Sequence, residues 1–138
     1  MPIRPVSRLA VLAAVLTAVA CHRGGASSAP RPPARPAGVT DAMIAQGDSL
    51  FNNGGCMRCH GAKGIGAQNG PALNDAQWLQ LKTGSYDEIV ALVTSGVPAA
   101  NIKDPSHKNA MGPRGGRMNL SDPQIRAVAA YVWSISRK

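Results

Sequence analysis

Aromatic side chains are scarce: one Phe, two Trp and two Tyr in 138 residues. With Phe51, Trp78, Tyr86, Tyr131 and Trp133 as its only large rings, the chain has little bulk for a core, and a bound apolar group could supply the missing volume. Acidic residues are absent from the first 40 positions, which hold five Arg. From Asp41 onward ten basic residues face seven acidic ones, leaving +3 of the formal +8. The basicity therefore belongs in good part to the leader and tail, and nucleic acid is discounted as a partner. Three cysteines cannot make a framework of paired disulfides. The apolar run Leu9–Ala20 falls short of the ~20 residues that span a bilayer. The length suits one domain rather than two.

That short run has another reading. Arg4 and Arg8 precede it, and Ala18-Val19-Ala20 offers small residues for cleavage, so residues 1–20 are expected to be a secretory signal peptide. Cys21 follows the cleavage point. This resembles a bacterial lipoprotein signal, in which the first mature cysteine receives lipid, although Ala18 stands where such signals usually carry Leu. A leftover thiol outside the cytoplasm also speaks for lipid on Cys21. Residues 21–40 are rich in Pro and Arg and lack apolar periodicity, as a tether would be; His22–Val39 fully extended reaches roughly 55 Å at ~3.1 Å per residue.

Residues 41–138 carry the helical signals. Asp41 caps a helix expected to end near Asn52, with Ile44, Gly47, Leu50 and Phe51 on one face. Ser85-Tyr86-Asp87-Glu88 opens a second helix as a capping box, with Gly96 placed to end it. Ser121-Asp122-Pro123-Gln124 opens the last, whose apolar stripe is Ile125, Val128, Val132 and Ile135. A short helix over Asp75–Leu81 is expected as well. No segment alternates with period two, so the domain reads as all-α, with three main helices and long loops. Loops rich in Gly and Asn, such as Gly61–Asn74, need something to wrap.

Cys56-Met57-Arg58-Cys59-His60 says what that is. C-x-x-C-H is the attachment motif of c-type haem. Residues three apart share a helix face, so Cys56 and Cys59 can both reach one porphyrin edge and form thioethers, with His60 next in line beneath the iron. A zinc site would want four ligands. Beyond the motif only Cys21, His22 and His107 remain, with no second Cys pair. A thioredoxin-like dithiol would need a βαβ setting that is absent. One covalent haem c is the expected cofactor. It would also staple a domain of about 98 residues, near the marginal size range.

From Asp41 to the end the chain resembles the small class I c-type cytochromes of bacteria. In that family a Gly and a Phe on the first helix pack against an aromatic on the last; Gly47, Phe51 and Tyr131 match. Gly70-Pro71-Ala72-Leu73 matches the family's Gly-Pro-x-Leu stretch, whose Pro carbonyl accepts a hydrogen bond from the ligand histidine. The resemblance implies a cytochrome c-like fold wrapped round one covalent haem, and a Met as second axial ligand between the middle and last helices. Met111 aligns with that ligand, with Gly112 where relatives carry Pro; Met118 reads as a hydrophobic contact. His107, the third possibility, reads as an exposed loop histidine. Trp78 has three readings: packing on the haem edge, a hydrogen bond to a propionate, or a plain core residue.

The expected cofactor-binding residues are therefore Cys56, Cys59, His60, Met111, Pro71 and Trp78, with His60 and Met111 on the iron. Two protein ligands leave no open position, so the chain reads as an electron carrier and not an enzyme, cycling iron between Fe(II) and Fe(III). Redox-partner proteins are its expected partners, with the membrane reached through the lipid on Cys21, and neither nucleic acid nor a small-molecule substrate is expected. It would work outside the bacterial inner membrane, in the periplasm or at the outer surface. The alternatives are a cytochrome c subunit of a respiratory oxidase or periplasmic dehydrogenase, and a gas-binding or peroxidase-type haem protein with an open sixth position.

Overall fold

A computed structural model describes Met1 and residues 34–137. The signal peptide, Cys21 and most of the tether lie outside the described residues.

Among the described residues four α-helices carry the fold: α1 (Asp41–Asn53), α2 (Cys56–His60), α3 (Tyr86–Ser95) and α4 (Asp122–Ile135). Short 3₁₀ turns and loops fill the intervals, and pairing among the described residues is limited to two isolated bridges, Ala67 with Gly70 and Val97 with Met111. No helix among the described residues is long and apolar enough to cross a membrane.

Thr40, rather than Asp41, caps α1: its hydroxyl accepts from the Met43 amide at 3.2 Å. Asp41 is the first helical residue, and its carboxylate sits well at the positive end of the helix. It also pairs with Arg35 at 2.7 Å. Just upstream Val39 is buried, so the packed unit begins before residue 41. The α3 capping box forms as its sequence demands. Ser85 Oγ accepts from the Glu88 amide, and Glu88 reaches back to the Ser85 amide. At α4 Gln124 bonds the Ser121 amide at 2.9 Å while the Ser121 hydroxyl donates to the same Gln124 oxygen.

Helix α4 is the axis of the core. Nine of its residues are buried, including Ile125, Val128, Tyr131, Val132 and Ile135. Phe51 of α1 and Ile89 and Val93 of α3 pack against it. At the α1–α4 crossing Phe51 and Tyr131 stack tilted with centroids 5.3 Å apart. Tyr131 OH accepts from Asn52 at 3.0 Å.

Residues 75–81 form bends, not the expected helix. Asp75 Oδ1 takes the Gln77 amide at 2.9 Å, a local turn that competes with helix. Gln80 is held by bonds to Asn101 and Lys103, and Trp78 lies in the wall of the central cavity.

Candidate haem site

Helices α1, α3 and α4 leave a cavity of about 470 Å³ between them and the loops. That is the volume the few aromatics do not fill. Phe51, Leu81, Ile89, Val93, Val128 and Val132 supply its apolar wall, and Cys56, Cys59 and His60 open onto it.

The motif is held from three sides. Gly54 and Gly55 end α1 and turn the chain into α2. The Gly55 amide donates to Met118 Sδ at 3.0 Å, and the Cys56 and Met118 sulfurs are 4.0 Å apart. After the motif, the Gly66 amide donates to the His60 carbonyl at 2.7 Å. Gly70 is required where it stands: a β-carbon there would lie 2.9 Å from the Cys59 oxygen and 3.1 Å from His60 Cε1. This close approach brings Pro71 to the histidine, and His60 Nδ1 lies 2.9 Å from the Pro71 carbonyl oxygen. A carbonyl only accepts, so Nδ1 carries the proton and Nε2 keeps its lone pair. Burial pushes the imidazole below its ordinary pKa, and the Pro71 carbonyl partly opposes that shift. Burial likewise raises the Cys56 thiol.

These residues suit a porphyrin and not a lone ion. Among the described residues no three His, Cys, Asp or Glu side chains converge to hold a metal ion. A haem asks for something else: two thiols for its edge, one neutral imidazole with a free nitrogen, and apolar walls. All are present. Trp78 adds one more sign. It lines the cavity, and its buried Nε1 has no hydrogen-bond partner among the described residues. It packs so closely on Gly84 that a β-carbon there would stand 2.0 Å from Nε1.

Of the two candidate thioethers, Met111 lines the cavity, its backbone bridged to Val97 by bonds of 2.8 and 2.9 Å. Met118 is turned to the Gly54-Gly55 corner, where a β-carbon on Gly54 would meet its Cε at 2.4 Å. His107 departs from its expected exposure. Its side chain is 18% exposed, with Nδ1 2.7 Å from Asp104 Oδ2 and Nε2 3.2 Å from the Ala67 carbonyl oxygen. A fold that brings residues 67 and 107 together gives it, beside Asp104 of its own loop, the Ala67 carbonyl that the loop lacks.

Two positions that sequence reasoning missed support the site. Arg114, at φ 54°, donates from Nε to the Leu120 carbonyl at 2.7 Å and pairs with Asp122 at 2.6 Å, pinning the loop after Met111 to the start of α4. Asn52 Oδ1 accepts from the Lys63 amide at 2.7 Å, tying the loop after the motif to α1. The partners are 6, 8 and 11 residues away in sequence, so no local pattern announces either.

Helices crossed at a buried glycine, a C-x-x-C-H turn on an apolar cavity and a histidine fixed by a proline carbonyl define a c-type cytochrome domain. The chain belongs to the cytochrome c family, whose pattern it matches over residues 44–136. Its cofactor is haem c, bound covalently through Cys56 and Cys59. It is 35% identical over 92 residues to the Cbb3-type cytochrome c oxidase subunit FixP of Bradyrhizobium diazoefficiens, covering 67% of this chain and 30% of that one. It is 37% identical over 81 residues to FixP of Azorhizobium caulinodans, covering 59% and 26%. The chain thus spans less than a third of the length of these relatives. Among solved structures it is similar to cytochrome CL of the methylotrophic bacterium Methylophaga aminisulfidivorans, with a TM-score of 0.54 and 27% identity over 70% of this chain and 55% of that one.

Proposed function

We propose that this protein is an extracytoplasmic electron carrier with His60 and Met111 as the two axial ligands of its haem. The observation that carries the reading is the placement of His60, with its outward nitrogen free, and Met111 on one apolar cavity. Bound haem iron supplies a one-electron couple between Fe(II) and Fe(III). The chain's own residues do the rest. Pro71 fixes the imidazole's orientation and basicity. The apolar wall excludes water and favours the less charged ferrous state. Trp78 holds an indole N–H ready for a haem carboxylate. A thioether in the sixth position raises the potential over a second histidine and leaves no site for a substrate. Partners are therefore other redox proteins, met through small, transient interfaces.

Secretion follows from the chemistry, since c-type haem is attached outside the bacterial cytoplasm. Residues 1–20 as signal peptide, lipid on Cys21 and residues 21–40 as tether would keep the domain at a membrane surface. There its effective concentration near membrane partners is raised. Absorption spectra of oxidised and reduced protein test the ligand set, because His/Met coordination gives the ferric form a far-red charge-transfer band. A ferrous spectrum with an open sixth position would instead support the gas-binding or peroxidase-type reading.

A second reading rests on the 35% identity to an oxidase subunit. The same haem domain would then serve as a fixed subunit of a terminal oxidase. Purification of the tagged chain in mild detergent decides: a stoichiometric oxidase core supports the subunit, and a lone cytochrome supports the carrier.

A further inference from the structure

The loop that carries Met111 and the loop that orients His60 meet at the edge of the haem cavity. Two side-chain contacts join them. His107 Nε2 lies 3.2 Å from the Ala67 carbonyl oxygen, and Asn109 Nδ2 donates to Asn69 Oδ1 at 2.8 Å. Both ends are tied to a ligand by short backbone. Ala67 is bridged to Gly70, with Pro71 and its hydrogen bond to His60 directly after it. Asn109 is two residues from Met111, whose own bridge to Val97 closes the loop at its base. Between those anchors the loop is short of apolar holdfasts. Pro98–Ala110 is polar and largely exposed, with Ile102 the one large apolar side chain. Gln80 holds its first half through Asn101 and Lys103, and the His107 and Asn109 contacts hold the half that leads to Met111.

The histidine contact has a chemical condition. Nδ1 faces the Asp104 carboxylate at 2.7 Å and the Ser106 oxygen at 3.0 Å, and Nε2 faces a backbone carbonyl. The Ser106 hydroxyl gives its one proton to Asp104 Oδ1, so every partner of the ring accepts. A neutral imidazole has one N–H, so one of the two contacts would set lone pair against lone pair. Only the ring protonated on both nitrogens makes both bonds. Asp104 is held as a carboxylate, its pKa lowered to about 2 by the Ser106 hydroxyl first, then the Ser106 amide and His107. The facing loop, Ala67–Pro71, brings no titratable side chain. His60 lies behind that loop and feels the His107 charge. On the Met111 side Lys108 is exposed, and Lys103 Nζ reaches the Gln80 carbonyl at 3.4 Å.

We propose that His107 is a positioning residue: as the imidazolium it clasps the Met111 loop to the Ala67–Pro71 loop, and loss of its second proton slackens the clasp. The link to the iron rests on Met111 being its ligand; the clasp itself does not. Slackening would let Met111 leave the iron more often. Loss of a positive charge near the haem would also favour the ferric state. Both effects lower the potential as pH rises.

The test uses the haem-loaded protein, with His107→Gln and Asn109→Ala as variants. Amide hydrogen exchange at Met111 and Val97, corrected for intrinsic rates, reads the clasp. In the wild type, protection at these two amides should be higher at acidic than at alkaline pH. His107→Gln should exchange about fivefold faster at acidic pH, with that pH dependence gone; Asn109→Ala should exchange faster by a similar factor with it retained. Amides of α1 and α4 should not change. Affinity of the ferric haem for added imidazole should rise about fivefold in both variants at low pH. Equal protection in His107→Gln and wild type, or wild-type protection that does not change with pH, overturns the clasp. If the wild type lacks the far-red band while protection behaves as described, the Met111 ligand falls and the clasp stands.

Discussion

Gly47 and Ala127 touch backbone to backbone. A β-carbon on Gly47 would lie 2.0 Å from the Ala127 oxygen and 2.8 Å from Tyr131 Cβ. The first partner is a carbonyl inside a helix and cannot rotate aside, so any side chain here must spread α1 from α4. Phe51 sits one turn along α1 and stacks on Tyr131. It also lines the haem cavity, with its ring 6.4 Å from that of His60. The crossing thus sets the wall behind the haem ligand.

Gly47→Ala should destabilise the haem-loaded domain by about 3 kcal/mol, the upper range of overpacking. For a domain of this size that is a fall in Tm of roughly 12 °C or more. Thermal unfolding followed by helical circular dichroism measures it. A loss under about 1 kcal/mol would mean that the helices part freely and the close contact is not needed.

Acid stability should depend on Glu88. Its carboxylate accepts from the Thr83 hydroxyl and from the Thr83 and Ser85 amides, which lowers its pKa from 4.5 to about 2. A carboxylate depressed in the folded state stabilises fully above its unfolded pKa, and that stability is lost as pH falls toward the folded value. The window is therefore about pH 4.5 down to about pH 2. Glu88→Gln should be less stable than wild type at neutral pH and lose less on acidification through that window. The group is exposed, so the difference is small, and urea midpoints at several pH values are the suitable measure. Parallel curves for the two proteins would show that the bonds add nothing in solution.

The helix starts that depend on neighbours three residues away were legible in the sequence. Ser85 with Glu88 and Ser121 with Gln124 place α3 and α4 where the structure has them. The one-residue difference at α1 reflects two competent caps in a row, Thr40 and Asp41. C-x-x-C-H announced the haem because its chemistry is local. Trp78 shows where local reading ends. The helix expected around it gives way to bends because its neighbours bond to Asn101 and Lys103, more than 20 residues on. His107 is the same case with a longer reach, its partner Ala67 being 40 residues away. A polar loop histidine looks solvated until the fold brings that carbonyl to it.

Covalent attachment through Cys56 and Cys59 predicts a simple chemical result. Acidified organic solvent should leave the haem on the denatured polypeptide, and the intact mass should include one haem. Cys56→Ala should retain a single thioether, and removing both cysteines should let the haem be extracted. The N-terminal peptide of the same preparation reads processing: cleavage before Cys21 with an added diacylglycerol mass is the expected form. An unmodified Cys21 would remove the anchor and leave secretion standing.

Met111 and Met118 lie in one loop and should behave as opposites. Met111 faces the haem cavity from a loop closed by its bridge to Val97. The Met118 sulfur accepts from the Gly55 amide, and its methyl fills the corner at Gly54. Met111→Ala should therefore abolish the far-red band, lower the reduction potential and open the ferric iron to added imidazole or cyanide. The His60–Pro71 bond and the thioethers are untouched by the change, so the haem should remain attached. Met118→Ala should keep the band. It removes a half-buried side chain and strands the Gly55 N–H, so its cost should appear as stability, about 2 kcal/mol. The two measurements separate the roles, because potential follows the ligand and unfolding follows the packing. A band lost in Met118→Ala and kept in Met111→Ala would transfer the ligand to Met118. The α1–α2 corner would then have to give up its amide–sulfur bond to free that side chain. A band kept in both variants would exclude each of them and move the sixth position to another residue.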